Sequence, residues 1–183
     1  MSRISTVQII TNGNRGFPYD SVVQIGSVDI DTRSGTMSEG FEVTVRCDTD
    51  SWSQEEREYL GDRVSEDDLK NGMPLKDAVE FVKDRFRGKD VASFEIANTF
   101  GRYLSFEHWD LTLETSILPS ISFRLPSAVR GMDTSKENSF LDRAYARYLT
   151  DDPLGLVPGR RTAIDYARVS AMLLLFLRRK GLY

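Results

Sequence analysis

Apolar and polar residues alternate along the first part of the chain and then change to a helical rhythm. Ile4 to Thr11 (ISTVQIIT) is rich in β-branched residues, which suit a pleated surface, and it stops at the turn dipeptide Asn12-Gly13. This predicts a first strand, followed by a loop through Asn14, Arg15, Gly16, Phe17, Pro18, Tyr19 and Asp20. Ser21 to Asp31 (SVVQIGSVDID) resumes the β pattern and turns at Thr32, Arg33, Ser34 and Gly35. The chain returns as Phe41 to Cys47 (FEVTVRC), where Phe41, Val43 and Val45 alternate with Glu42, Thr44 and Arg46. Together these segments predict an antiparallel three-strand meander.

The period then lengthens. Ser53 has the chemistry of an N-cap before the acidic stretch Gln54 to Leu60, and Ser65 with Asp68 three residues on marks a second short helix start. Both are expected as surface turns. Pro74, at a first helical position, opens Leu75, Ala78, Val79, Val82 and Phe86, which recur at helical spacing until Gly88 stops them. Val91 to Phe94 predicts a short buried strand, and Ala97 to Phe106 a helix carrying Phe100, Tyr103 and Leu104, so the order to this point is βββαβα. From Ser116 to Asn138, with Pro119, Pro126 and Gly131, an irregular stretch is expected to be loop with one strand at Ile121 to Leu125. Two helices close the chain: Ser139 to Leu149, and Thr162 to Lys180, where Ile164, Ala167, Ala171, Leu174 and Leu175 line one side. No internal repeat or low-complexity segment interrupts this order.

Bulk properties narrow the picture. With 183 residues, 40% of them hydrophobic, the chain can bury a sizeable core and is expected to form one domain over 1–183. A net charge of −4 excludes a generic polyanion binder, so any nucleic-acid contact must be local. The single cysteine, Cys47, rules out an internal disulfide and a cysteine-based zinc site, and it is expected to be a strand-end thiol. No charged-then-apolar leader opens the sequence, and the apolar run Met172 to Leu177 is far too short to span a bilayer, so a soluble, cytoplasmic protein with no membrane contact is expected.

At this point the residues resemble a family. VVQIGSVDID, a Gly turn and FEVTV look like the second and third strands of the DEDD-group (DnaQ-like) 3′-to-5′ exonucleases, where an isoleucine-glycine pair sits mid-strand. VSEDDLKNGMPLKDAVEFVKDRFRGKDVASF is similar to the stretch that leads into the second catalytic motif. IANTFGRYL sits where the family has His-Asn-x-x-Phe-Asp-x-x-x-Leu, and RTAIDYARVSAMLLLFL where its last helix carries a His and a final Asp. The resemblance spans nearly the whole chain in order, and it implies an α/β fold: an RNase H-like mixed sheet, with an antiparallel meander plus parallel strands, flanked by helices.

Enzymes of this kind hydrolyse a terminal phosphodiester with two divalent metals roughly 3.5 to 4 Å apart, held by four carboxylates. Hard cations such as Mg²⁺ require oxygen ligands. On the first strand the family's Asp-x-Glu falls on Gln8 and Ile10; in the second motif the Asp falls on Gly101 and the preceding His on Ile96. In the third, the general-base His falls on Arg161 and the final Asp on Tyr166, whereas a shift of one residue would place Arg160 and Asp165 there. A glutamine carbonyl coordinates weakly, isoleucine not at all, and an arginine grips phosphate but takes no proton from water. The expectation is therefore a catalytically silent relative with no metal or other cofactor, holding a single-stranded nucleic-acid end or a replication or repair protein.

Positive charge supports a phosphate contact in part. Arg160, Arg161, Arg168, Arg178, Arg179 and Lys180 crowd the last quarter of an acidic chain. The last three also complement a helix dipole, which leaves Arg160 and Arg161, at a helix start, as the better candidates. Arg15, between two glycines, is a further candidate, although its loop lacks phosphate-loop spacing. Asp29 and Asp31 share a strand face but are expected at a solvated hairpin edge, the lone His108 in a surface or packing role, and Trp52 and Trp109 at the edge of the core. Two other readings stay open: an active Mg²⁺- or Mn²⁺-dependent exonuclease with displaced ligands, and a homodimeric interaction domain using an apolar patch at Tyr145, Tyr148 and Leu149.

Overall fold

A computed structural model describes residues 3–38, 40–126, 137–151 and 161–183. The long strands β1 (Arg3–Thr11) and β2 (Val22–Asp31) pair antiparallel, from Arg3 opposite Asp31 to Ile10 opposite Gln24. After the turn come β3 (Thr36–Met37) and β4 (Phe41–Thr44), both antiparallel to β2 at successive positions along it. β5 (Asp90–Ala92) lies parallel to β1 on its other side, and β6 (Ser116–Ile117) lies parallel to β5. The sheet order is β3-β2-β1-β5-β6 with β4 also on β2. This is the expected mixed sheet, a meander extended by parallel strands.

Period-two alternation gives β1 two chemically distinct faces. Val7 and Ile9 pack with Val22, Ile25 and Val43 under α3 (Leu75–Phe86), whose Ala78, Val82 and Phe86 are buried. Ile4 faces the opposite way, with Val28 and Ile30, toward α5 (Glu137–Tyr148) and α6 (Ala163–Arg179). α6 supplies Ala167, Val169, Ala171, Leu173, Leu174 and Leu177 to that core. Helices thus cover both faces of the sheet. Gly26 makes the close seat of α6 possible: a side chain there would meet the backbone N of Ile164 at 2.1 Å.

Several sequence expectations are corrected. The two acidic stretches are helices, α1 (Gln54–Leu60) and α2 (Glu66–Lys70), capped by Ser53 and Ser65. Beyond surface turns, they also place Leu60 and Leu69 in a buried cluster with Ile10 and Val23. The strand expected at Ile121 to Leu125 is a 3₁₀ turn, and the strand lies before Pro119. Burial of Ile121 and Leu125 in the core explains that apolar run without a ladder. The helix expected over Ala97 to Phe106 divides into α4 (Ile96–Thr99) and a π-helical turn, Phe100–Leu104. The apolar patch at Tyr145, Tyr148 and Leu149 is turned inward: Tyr145 is buried, and Tyr148 packs on Phe176 with ring centres 5.2 Å apart. No helix among the described residues is long and apolar enough to cross a membrane.

Candidate functional site

The C-terminal half of β1, the first turns of α6 and the segment after β5 come together where the resemblance places the exonucleases' cleft. On the β1 face toward α6, the Thr6 hydroxyl donates to the carbonyl of Ala167 at 2.9 Å, and the next inward residue is Gln8. The Gln8 Nε2 amide donates to Ser170 Oγ on α6 at 2.9 Å and to Ser93 Oγ, just after β5, at 3.3 Å. Ser93 Oγ in turn lies 2.7 Å from Thr99 Oγ1 on α4. Four neutral side chains from four places in the sequence thus form one hydrogen-bonded chain. Gln8, Ser93, Thr99 and Ser170 satisfy one another, as polar groups at such depth must.

Ile10, the next inward residue on β1, is 1% exposed and packs against Val23, Leu60, Val64, Leu69 and Ala163. Its neighbourhood is apolar. Gly101 lies exposed in the π-helical turn, where a side chain would meet only the carbonyl of Ile96, at 3.9 Å. Tyr166 is buried on α6, and burial pushes its phenol pKa up. Arg161 is 3% exposed. Its guanidinium pairs with Asp142 of α5 and stacks 5.3 Å above the Tyr145 ring, with desolvation lowering its pKa. The expectation that Arg161 reaches out to a phosphate meets a side chain aimed into the protein. Asp165 closes a capping box with Thr162 and pairs with Arg168 at 3.1 Å. Arg160 lies outside the described residues.

The start of α6 is closed as well. Helix N-termini bind anions through free backbone N–H groups. Here Ala163 N donates to Gln24 Oε1 at 2.9 Å, Ile164 N to Glu42 Oε2 at 2.8 Å, and the third N–H to Thr162. Three donors are thereby taken from within. The loop after β1 is similarly self-contained: the buried Asp20 carboxylate accepts from the Arg15 side chain at 2.7 Å and from Gly16 N at 3.2 Å. Arg15 also stacks over Tyr19, 5.8 Å from the ring centre. A side chain on Gly13 would strike Asp20, so the turn requires glycine there.

Residues that sequence reading singled out elsewhere find structural employment. Asp29 accepts from Ser5 Oγ and from Lys89 Nζ at 2.9 Å, while Asp31 accepts from the backbone of Arg33 and Ser34 in the hairpin turn. Those two backbone bonds hold the Asp31 pKa below the ordinary carboxylate value. His108 is exposed with φ +73° beside the buried Trp109, and Trp52 is half-buried against the Ile10 cluster. Cys47 follows β4, and burial pushes its thiol up to about 11. Sequence reading missed Ser93, Thr99 and Ser170. Their signal was faint: polar residues at inward register, with Ser170 one helical turn after Tyr166.

The fold resemblance implies a metal pair here, and the donors do not fit one. Gln8 offers only a neutral amide oxygen, Ile10 and Gly101 offer no side-chain oxygen, and Arg161 brings positive charge. Among the described residues no three of His, Cys, Asp and Glu gather where they could hold an ion.

Solved structures reproduce this architecture. The chain is similar to the nuclease domain of 3′hExo, a DEDDh family member, bound to rAMP, with TM-score 0.59 and 14% identity over 99% of this chain and 94% of that one. Exonuclease X in complex with 5′-overhanging duplex DNA matches with TM-score 0.55 and 18% identity over 97% and 93%. Exonuclease I from Methylocaldum szegediense matches with TM-score 0.63 and 12% identity, over 98% of this chain but 41% of that longer one. No protein-family model and no curated protein matches the sequence. The fold is that of the DnaQ-like 3′-exonucleases, an RNase H-like α/β architecture.

Proposed function

We propose that this chain is a single exonuclease-like domain that does not cleave nucleic acid and instead serves as a binding module, holding a nucleic-acid end or a replication or repair partner. One observation carries the reading. Where the resemblance places the first and central carboxylate of the metal pair, Gln8 is locked into a neutral network with Ser93, Thr99 and Ser170. A Mg²⁺ ion stripped of several carboxylates has too little negative charge around it to repay its lost hydration. The general-base position supports the same reading, because Arg161 stays protonated and is bound to Asp142. The proposal includes no cofactor.

A single-turnover nuclease assay with Mg²⁺ and Mn²⁺ on 3′-ended DNA and RNA tests it. No cleavage above the metal-free background is the expected result. Metal-dependent cleavage that disappears in Asp165→Ala would overturn the proposal and restore an active exonuclease with displaced ligands.

A further inference from the structure

Charge is distributed unequally between the two ends of β1. At the cleft end, α1 and α2 carry Glu55, Glu56, Glu58, Glu66, Asp67 and Asp68, and their Leu60 and Leu69 sit directly on Ile10. Four of the cations there are paired with carboxylates: Arg15 with Asp20, Arg57 with Glu66, Arg161 with Asp142 and Arg168 with Asp165. Arg63 and Arg102 donate to backbone carbonyls, of Tyr59 and Leu60 and of Asn14. A phosphate approaching the cleft meets the carboxylates of α1 and α2 and cations that already have partners.

The other end differs. Seven residues back along β1, about 23 Å at 3.3 Å per residue, the strand starts with exposed Arg3. Arg33 stands exposed in the turn after β2. The last turn of α6 brings Arg178, Arg179 and Lys180 to the same end. Arg179 Nη2 lies 3.7 Å from where a side chain on Gly35 would begin, beside Arg33. Among the described residues none of these five cations forms an ion pair; Asp31, opposite Arg3, is the carboxylate that feels the charge of Arg3 and Arg33. The helix dipole accounts for the three at the end of α6. It does not account for Arg3 and Arg33, which arrive from β1 and from the turn after β2.

We propose that this basic pole, not the cleft, is a docking surface for the phosphate backbone of nucleic acid. Cations contributed by a strand start, a hairpin turn and a helix end suit a chain of regularly spaced charges. The proposal rests on the preceding reading only for its choice of polyanion. It holds whether or not the cleft is silent.

Binding of a fluorescein-labelled single-stranded 20-mer and of its duplex, followed by anisotropy between 50 and 200 mM salt, tests the pole. Affinity is expected to fall steeply with salt. Arg33→Glu/Arg179→Glu is expected to weaken binding at least tenfold at the lower salt and to reduce the log–log salt slope by about 1.4, two single-strand phosphate contacts' worth. The charge-matched control Lys70→Glu/Lys76→Glu, on exposed positions of α2 and α3, is expected to stay within twofold of the unaltered protein. Binding unchanged in the pole variant, loss confined to Arg15→Glu, no binding of the unaltered protein, or equal competition by a polyglutamate peptide would each sink the proposal. Metal-dependent cleavage removes the silent-cleft reading and leaves the pole standing, whereas a pole variant with unaltered binding does the reverse.

Discussion

The two ends of β1 solve the problem of polar side chains in opposite ways. At the cleft, amides, hydroxyls, guanidinia and helix N–H groups are consumed by partners inside the protein: Gln8 by Ser93 and Ser170, Arg161 by Asp142, Ala163 and Ile164 by Gln24 and Glu42. At the pole, five cations stand exposed without an ion pair among the described residues. Groups that satisfy one another stabilise the fold but have nothing left to offer a ligand. Uncommitted charge contributes little to stability and is free to recognise.

Substitutions at the two ends should therefore separate stability from binding. The largest effect is expected for Ile10→Glu, which puts a carboxylate where the resemblance aligns the exonucleases' glutamate. Burying an unpaired charge against Val23, Leu60 and Ala163 should cost about 4 kcal/mol, lowering Tm by about 10 °C in calorimetry. A variant as stable as the parent that also takes up Mn²⁺ would erase the contrast between the ends. Next comes Asp142→Ala, which strands the Arg161 guanidinium; about 3 kcal/mol should be lost in urea unfolding, and adding Arg161→Leu should recover at least half of it.

A smaller change is expected at the acidic wall of the cleft. Ser53→Ala removes the capping box of α1, and about 1 kcal/mol should disappear from the same unfolding curve. The smallest change belongs to the pole: Arg33→Glu and Arg179→Glu should each stay within about 0.5 kcal/mol of the parent, whatever they do to oligonucleotide affinity. A large destabilisation there would mean the pole is structural after all.

Much of the architecture was legible in sequence because it depends on local period. Alternation in ISTVQIIT and SVVQIGSVDID places the strands, and the spacing of Ile164, Ala167, Ala171 and Leu174 places α6 to within a residue or two. Period two alone puts Gln8 and Ile10 on one face. The irregular middle failed where burial and pairing separate, since Ile121 and Leu125 are core residues in a turn. The cleft's chemistry was less visible. Ser93, Thr99 and Ser170 meet Gln8 across up to 162 positions of sequence, and the inward direction of Arg161 is set by Asp142 on a different helix. Arg178, Arg179 and Lys180 of the basic pole were apparent as a C-terminal run. Arg3 and Arg33 join them only once the strands are in register.

The seat of α6 on Gly26 also governs how the domain opens. Helix ends ordinarily fray, and their amides exchange with solvent hydrogen through small local fluctuations. In α6 the first two amides are held by side chains of β2 and β4, with the strand backbone directly beneath. Deuterium should therefore enter these positions only when the central sheet itself comes apart, which makes the beginning of the last helix and the oldest strands of the meander one cooperative unit.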